Sequence, residues 1–428
     1  MSNRSADSRH DTVQERPAAP NVPLRRNRGF QLLWAGSVFA FLGKEIAELA
    51  YPLVVLAVTG SPGWAGAFGG VQIFTSLLCG MPAGELADRY DRRRLLLCVE
   101  AARALATGSV VVAFLLDAVS LPHLLAVAVV VGAVQPLGGS TRMLLVRSLV
   151  PPRQLTAALT QEEVRSHAAA TSGPPLGGAL YAVAQVVPFV VTACSFAASL
   201  VLTLFVRPPA EAPHAPMRAA EREPLLSRMT VGLRALWGHP TLRTGMLFAA
   251  AMNTVTAPVI LSVVVHLREQ GLTSTAIGFT TMALAVGGLA GTVLVAPLHK
   301  LLAPGVLMLW LGGTAALLIG SLAAPWGRWW PALALFLLGL GGPSMRVLVD
   351  ILIFRQVPDE QRGRAVAACM TVFGAGASLG VFLAGQLLEH FSAAVTVLVL
   401  ASVLAAAWCV GLRTRELRRA KWPEEQEA

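Results

Sequence analysis

Three ionisable residues, Lys44, Glu45 and Glu48, interrupt a long apolar stretch near the start of the chain. A charge in such a stretch is costly unless it is paired or wet, so it is kept where it does chemistry. Lys44 and Glu48 stand four apart on one face of a helix and can pair. Glu45 is rotated by roughly 100° from that face and left comparatively free. A carboxyl in an apolar cavity can be neutral at one stage of a cycle and ionised at another, which suits it to carrying a proton. Glu45 is therefore read as the principal proton-coupling carboxylate and Glu48 as the second.

Other ionisable groups sit in similar stretches. Glu100 and Arg103 in the third read as a charge network near its basic end. Glu162, Glu163, Arg165 and His167 crowd the start of the fifth, with His167 read as hydrogen-bonded. Arg346 and Asp350, four apart in the tenth, read as a structural pair. Asn253, midway along the seventh, reads as a cavity residue beside Lys44 and Glu45. Hydrolytic and nucleotide chemistry lack their signatures. There is no H-E-x-x-H, and Gly43-Lys44 lacks both the glycine spacing and the following Ser/Thr of a phosphate loop. The five cysteines (Cys79, Cys98, Cys194, Cys369, Cys409) stand singly within apolar stretches and read as packing residues. The expectation is a protein without catalytic residues, metal or cofactor, and not an enzyme.

The elements that hold these residues follow from composition. Of 428 residues, 55% are hydrophobic and 14% charged, against roughly 25% charged in an average soluble chain. Mean hydropathy is +0.62. Apolar stretches run at 29–58, 63–87, 95–116, 121–141, 157–182, 186–206, 243–266, 273–297, 303–323, 330–353, 363–388 and 391–412. Each is about the length of a bilayer crossing, which predicts an all-α membrane protein of twelve helices. The first is too long for a signal peptide and lacks a small-residue cleavage site, so it is expected to stay.

The net charge of +10 has a matching distribution: 28 of the 34 Lys and Arg fall in the two tails and in alternate connections, and only Arg268 and Arg328 fall on the other side. Basic residues beside spans are held on the cytoplasmic side. That predicts cytoplasmic tails at 1–28 and 413–428, a multi-pass protein of the cell membrane, and no nucleic-acid groove, which would gather charge on one surface.

The longest polar connection, 207–242, divides the spans into 29–206 and 243–412. Within it Leu225, Leu226, Met229, Leu233, Leu236 and Trp237 recur at helical spacing with Arg228 and Arg234 among them. This reads either as an amphipathic helix on the membrane face or as a loosely ordered linker. The halves repeat. At an offset of 207, Val150-Pro151 matches Val357-Pro358, Gly173 matches Gly380, Leu176 matches Leu383 and Gly178 matches Gly385. Duplicated halves place a site between them near mid-membrane and let one rock against the other.

After the second span comes Gly84-Glu85-Leu86-Ala87-Asp88-Arg89-Tyr90-Asp91-Arg92-Arg93-Arg94. It closely resembles the signature loop of the major facilitator superfamily, G-x-L-a-D-r-x-G-r-(K/R), with Asp91 where the family has its second glycine. The resemblance implies that Asp88 pairs with the positive N-terminal end of the eleventh helix, a carboxylate on a helix dipole. Gly84, Arg89 and Arg92 would complete a latch that holds the outward-facing state. In the fifth span, Gly173-Pro174-Pro175-Leu176-Gly177-Gly178 resembles the G-P-x-x-G-G core that marks the superfamily's antiporters, with Ala169 in place of an upstream glycine. The family assigns this kink to sealing the outer side. Gly66/Gly70, Gly80/Gly84, Gly287/Gly291 and Gly376/Gly380 repeat the four-residue spacing and read as packing.

"FQLLWAGSVFAFLG", "VGLRALWGHPTLR" and "VPDEQRGRA" look like the macrolide-efflux and enterobactin-exporter branch of the superfamily, whose proton acid falls one position earlier, where this chain has Lys44. The resemblance implies proton-driven export of a medium-sized organic molecule by a rocker switch. The partners would be that small molecule, protons and lipid, in a monomer. A proton-coupled importer and a non-transporting sensor or scaffold remain as alternatives; a dry space between the halves would favour the last.

Overall fold

The computed structural model describes residues 23–207, 234, 236–238, 240–357 and 359–414. The expected tails 1–22 and 415–428 and nearly all of the central connection lie outside the described residues. So does its amphipathic stretch, except Arg234, Leu236 and Trp237, of which Leu236 is fully buried.

Thirteen helices are described: α1 (Arg28–Thr59), α2 (Pro62–Arg89), α3 (Arg92–Leu115), α4 (Leu121–Leu149), α5 (Leu155–Val183), α6 (Val187–Phe205), α7 (Pro240–Thr256), α8 (Val259–Glu269), α9 (Ser274–Leu301), α10 (Pro304–Ser321), α11 (Trp330–Gln356), α12 (Asp359–His390) and α13 (Ala393–Arg413). The seventh stretch is broken into α7 and α8 at Pro258, whose missing N–H and fixed φ interrupt the helix. Among the described residues nine segments, α7 with α8 counted as one, are long and apolar enough to cross a membrane. The α2 helix, bent by 50° at Pro82, is a tenth. The remaining two, α1 and α5, have 32 and 29 residues and carry the ionisable groups.

Side-chain caps start several helices where the chain turns. Asn27, Ser61, Asp91, Thr273 and Ser392 each accept a backbone N–H three residues on, meeting donors that a helix start leaves open. Asp91 explains the departure from the signature loop: at φ −55° it needs no glycine and instead caps α3 through Arg94 N at 2.8 Å. Three expectations need correction. The fourth stretch continues as helix to Leu149, so Arg142 is a buried helical residue and not a loop cation. Arg346 is exposed and makes no ion pair with Asp350 among the described residues, so that structural pair is absent. Cys98, Cys194 and Cys409 are exposed on their helices, and only Cys369 is buried.

Lipid supplies little hydrophobic drive between helices, so close packing through small residues holds them together. Outward faces are apolar, with Leu105, Val183, Val293 and Leu317 each 74–77% exposed. In water such a surface would aggregate. Inside the N-terminal set, α1 packs on α5 and α6, α3 on α4 and α6, and α2 on α4. In the C-terminal set α9 packs on α11, α10 on α13 and α12 on α7. The two sets meet chiefly through α2 against α12 and α5 against α9.

The glycines related by 207 positions make equivalent contacts. A Cβ on Gly173 would strike Glu45 of α1, and one on Gly380 would strike Thr254 of α7. A Cβ on Gly178 would strike Ser274 of α9 across the sets, and one on Gly385 would strike Gly66 of α2 across the sets. The same helix thus uses one glycine to pack within its set and a second, five residues on, to touch the other set.

Candidate functional site

A cavity of about 520 Å³ lies between the sets at mid-depth. From the N-terminal set it is lined by Glu45, Glu48, Tyr51, Phe68, Gln72, Ser76, Gln135 and Pro174. From the C-terminal set come Ala257, Ile260, Leu261, Val264, Thr281, Leu284, Ala285 and Val381. Both acids and all the polar side chains but Thr281 come from the N-terminal set, which also contributes Leu49, Gly69, Ile73 and Ala170; the C-terminal wall is otherwise apolar. Proline adds to the polarity: Pro52 and Pro174 have no N–H, so the carbonyls of Glu48 and Ala170 lose their helical donors beside the cavity. Tyr51 stacks on Phe68 with ring centres 4.7 Å apart, and its hydroxyl lies 3.5 Å from Thr107 Oγ1.

Lys44 Nζ lies 2.9 Å from Glu45 Oε1 and 2.6 Å from Glu48 Oε1. This corrects the expectation that Glu45 is free. Adjacent side chains leave the helix about 100° apart, but the flexible lysine stem spans that gap and serves both acids. One cation shared by two carboxylates leaves the triad one negative charge in excess. Glu48 is the most exposed to the cavity, its side chain 48% accessible against 16% for Glu45. The expected cavity residues also change. Lys44 faces a small side recess off the cavity, shared with Glu48, Gln72, Gln135, Arg103 and Thr107. Asn253 is not on the cavity wall; its span contributes Ala257 from the break and Ile260, Leu261 and Val264 from beyond it.

Behind this triad lies a second charged group. Glu100, fully buried, pairs with Arg142 at 2.5 Å and with Arg103 at 3.8 Å. Arg165 pairs with Glu162, and both Arg165 and Arg142 stack on Phe41 at 4.4 and 5.6 Å. His167 lies 3.3 Å from Glu163. The sequence revealed Glu100 and Arg103; it missed Arg142 as their partner because Arg142 reads as a loop cation when the helix is ended too early.

The far end of the bundle, opposite the termini, is closed. Gly173 and Gly177 let α5 rest on Glu45 and Ile46 of α1, while Gly178 and Gly278 seal α5 against α9. Gly66, Gly70 and Gly385 bring α2 onto α12, and Ser378 Oγ donates to Gly70 O at 2.8 Å. Arg268 Nη1 donates to Leu53 O at 3.1 Å, again between the sets. One buried apolar cluster there runs through both sets, including Leu53, Phe68, Phe189, Val264 and Val381. At the termini end the buried clusters are separate, one around Phe30, Leu96 and Leu145 and another around Met246, Met308 and Leu348. Gly80 and Gly84 face open space there, and Asp88 and Arg89 are exposed, with Arg92 half-buried. The side chains of residues 358–361, where α12 begins and where Asp88 is expected to dock, lie outside the described residues. Gly66 and Gly70, read from sequence as packing alone, therefore form part of the contact between sets.

A wider groove of about 820 Å³ between α10 and α13 faces outward and is lined by no ionisable residue. The cavity between the sets, closed at one end and, among the described residues, parted at the other, marks a membrane transporter.

Comparison with known proteins agrees. The transmembrane secretion effector profile matches residues 18–426. The multidrug efflux pump Tap of Mycobacterium tuberculosis is 26% identical over 409 residues, covering 92% of this chain and 95% of the relative. Tap of Mycolicibacterium fortuitum is 26% identical over 414 residues, covering 92% and 98%. Among solved structures, the nucleoside transporter NupG superposes with a TM-score of 0.73 at 13% identity, covering 90% of this chain and all of that one. A bacterial homologue of the iron transporter ferroportin in an inward-facing state gives 0.70 at 18%, covering 90% and 99%. The chain belongs to the transmembrane secretion effector family of the major facilitator superfamily.

Proposed function

We propose that the protein exports a medium-sized organic compound across the cell membrane in exchange for protons, with Lys44, Glu45 and Glu48 as the coupling unit. The observation that carries this reading is the triad itself: two carboxylates share one lysine on the wall of the cavity between the sets. A proton arriving from outside neutralises the surplus carboxylate. Once the cavity opens inward, the proton leaves to the cytoplasm and the triad regains its negative charge. Lys44 lies within hydrogen-bond distance of both acids, so a proton taken up by one carboxylate changes the hold of Lys44 on the other. Each proton moved down a membrane potential supplies about 2.3 kcal/mol per 100 mV. The apolar wall from α8, α9 and α12 and the aromatic pair Tyr51–Phe68 suit a substrate with a large apolar body, and the net negative triad favours one that carries positive charge. Export is supported by the efflux pumps to which the chain is similar and by the Gly173–Gly178 run at the closed end.

In this reading both tails are cytoplasmic, the far end faces outside, and the chain works as a lipid-embedded monomer. Residues 29–206 and 243–412 rock against each other, and Gly84, Asp88, Arg89 and Arg92 latch the termini end when it closes. The test is ethidium efflux from cells carrying the protein, with and without a protonophore, and proton release in proteoliposomes. Glu45→Gln and Glu48→Gln should each leave the protein in the membrane and strongly reduce gradient-driven efflux. Efflux that persists in both variants, or that ignores the protonophore, overturns the assignment.

A further inference from the structure

At the far end of the α2/α12 pair the two sets are joined by a charged contact. Ser61 caps the start of α2, its Oγ accepting from Trp64 N at 3.3 Å. Glu389, in the last turn of α12, reaches the same place. Its Oε2 accepts from Ser61 Oγ at 2.5 Å and from Gly63 N at 3.0 Å. A Cβ on Gly63 would lie 3.3 Å from that carboxylate oxygen and 3.2 Å from Gln386 Nε2, so the missing side chain lets the acid approach the backbone. The partners are more than 320 residues apart in sequence and belong to opposite sets.

We propose that Glu389 is an outer gate latch: its carboxylate, seated on the N-terminus of α2, holds the far end closed and must leave that seat each time the cavity opens there. The physics is a carboxylate accepting from open backbone donors at the positive end of a helix. The contact exists only while α2 and α12 touch, so its strength is spent on one conformation and biases the equilibrium between two. Its location sharpens the effect. The seat is at the rim of the pair, one turn beyond the Gly66–Gly385 crossing, where rocking of the sets moves the helices furthest apart. At the other end of the same pair, among the described residues, Asp88 is exposed and a Cβ on Gly84 would meet open space.

The experiment uses the full chain in lipid nanodiscs, with the native cysteines replaced and spin labels at Ala118 and Arg328, exposed turn residues of the two sets at the far end. Glu389→Gln should raise the ratio of far-open to far-closed molecules by about fivefold, a charge-assisted contact weakened by exposure. Ser61→Asp keeps a good helix cap but sets a like charge against Glu389, and should open the far end at least as much. Added to Glu389→Gln, it should do little more, while Ser61→Thr, which keeps the hydroxyl, should behave as wild type. An unchanged distance distribution in both Glu389→Gln and Ser61→Asp overturns the latch. So does a double variant whose effect is the product of the two singles. Neither outcome depends on proton coupling.

Discussion

Gly66→Ala tests the closed end most directly. A Cβ at this position would lie 2.6 Å from Gly385 Cα and 2.8 Å from Val381 O. Carbon atoms pack at about 3.5–4.0 Å, so α2 and α12 would have to part by roughly 1 Å where two backbones, not flexible side chains, are in contact. Overpacking of this kind costs about 1–3 kcal/mol. The cost falls only on the conformation in which the helices touch. At about 1.4 kcal/mol per factor of ten, the ratio of far-closed to far-open molecules should drop by roughly 5- to 150-fold. The assay is the distance between spin labels at Ala118 and Arg328 in nanodiscs, with Gly108→Ala in α3 as the control, since a Cβ there meets nothing within 4 Å. Gly66→Ala should move the distribution to longer distances while Gly108→Ala leaves it unchanged. If Gly66→Ala folds and its distribution matches that of the parent, the crossing is not the seal and the account of the closed end fails.

Glu100→Gln strands Arg142 and Arg103, both buried, and should destabilise the N-terminal set by about 3 kcal/mol or more. Loss of monodisperse protein at a lower temperature in detergent would register this, and an unchanged melting profile would refute the pairing. Lys44→Gln leaves Glu45 and Glu48 without their shared cation, so proton release on substrate addition in proteoliposomes should fall sharply while the protein stays folded; undiminished release would show that the lysine does not organise the triad.

Much of this protein is set by sequence alone. Apolar runs of bilayer length must become helices, because only a helix satisfies its own backbone in lipid. The basic residues at alternate connections predict a cytoplasmic side, and the 207-residue repeat predicts the equivalence that Gly173, Gly178, Gly380 and Gly385 display. Charge held inside a span, too, is legible wherever an acid interrupts an apolar run, as at Glu45, Glu48 and Glu100.

What only the tertiary structure decides is partnership. Whether Glu45 is free depends on where a flexible lysine settles, and helical spacing does not fix that; Lys44 reaches both acids. Asn253 sits midway along its stretch, but the break at Pro258 turns other residues of that span to the cavity. Arg142 is a loop cation by composition and a buried counter-ion in the fold, because α4 runs two turns past its apolar stretch. Gly66 carries the four-residue spacing of many glycines, and only a neighbour from the other set makes it part of the contact between sets. Glu389 is one polar residue at a helix end until α12 brings it to the start of α2. Local pattern specifies each helix because its hydrogen bonds are internal. The contacts between helices join residues far apart in the chain, and those contacts shape the cavity and close its far end.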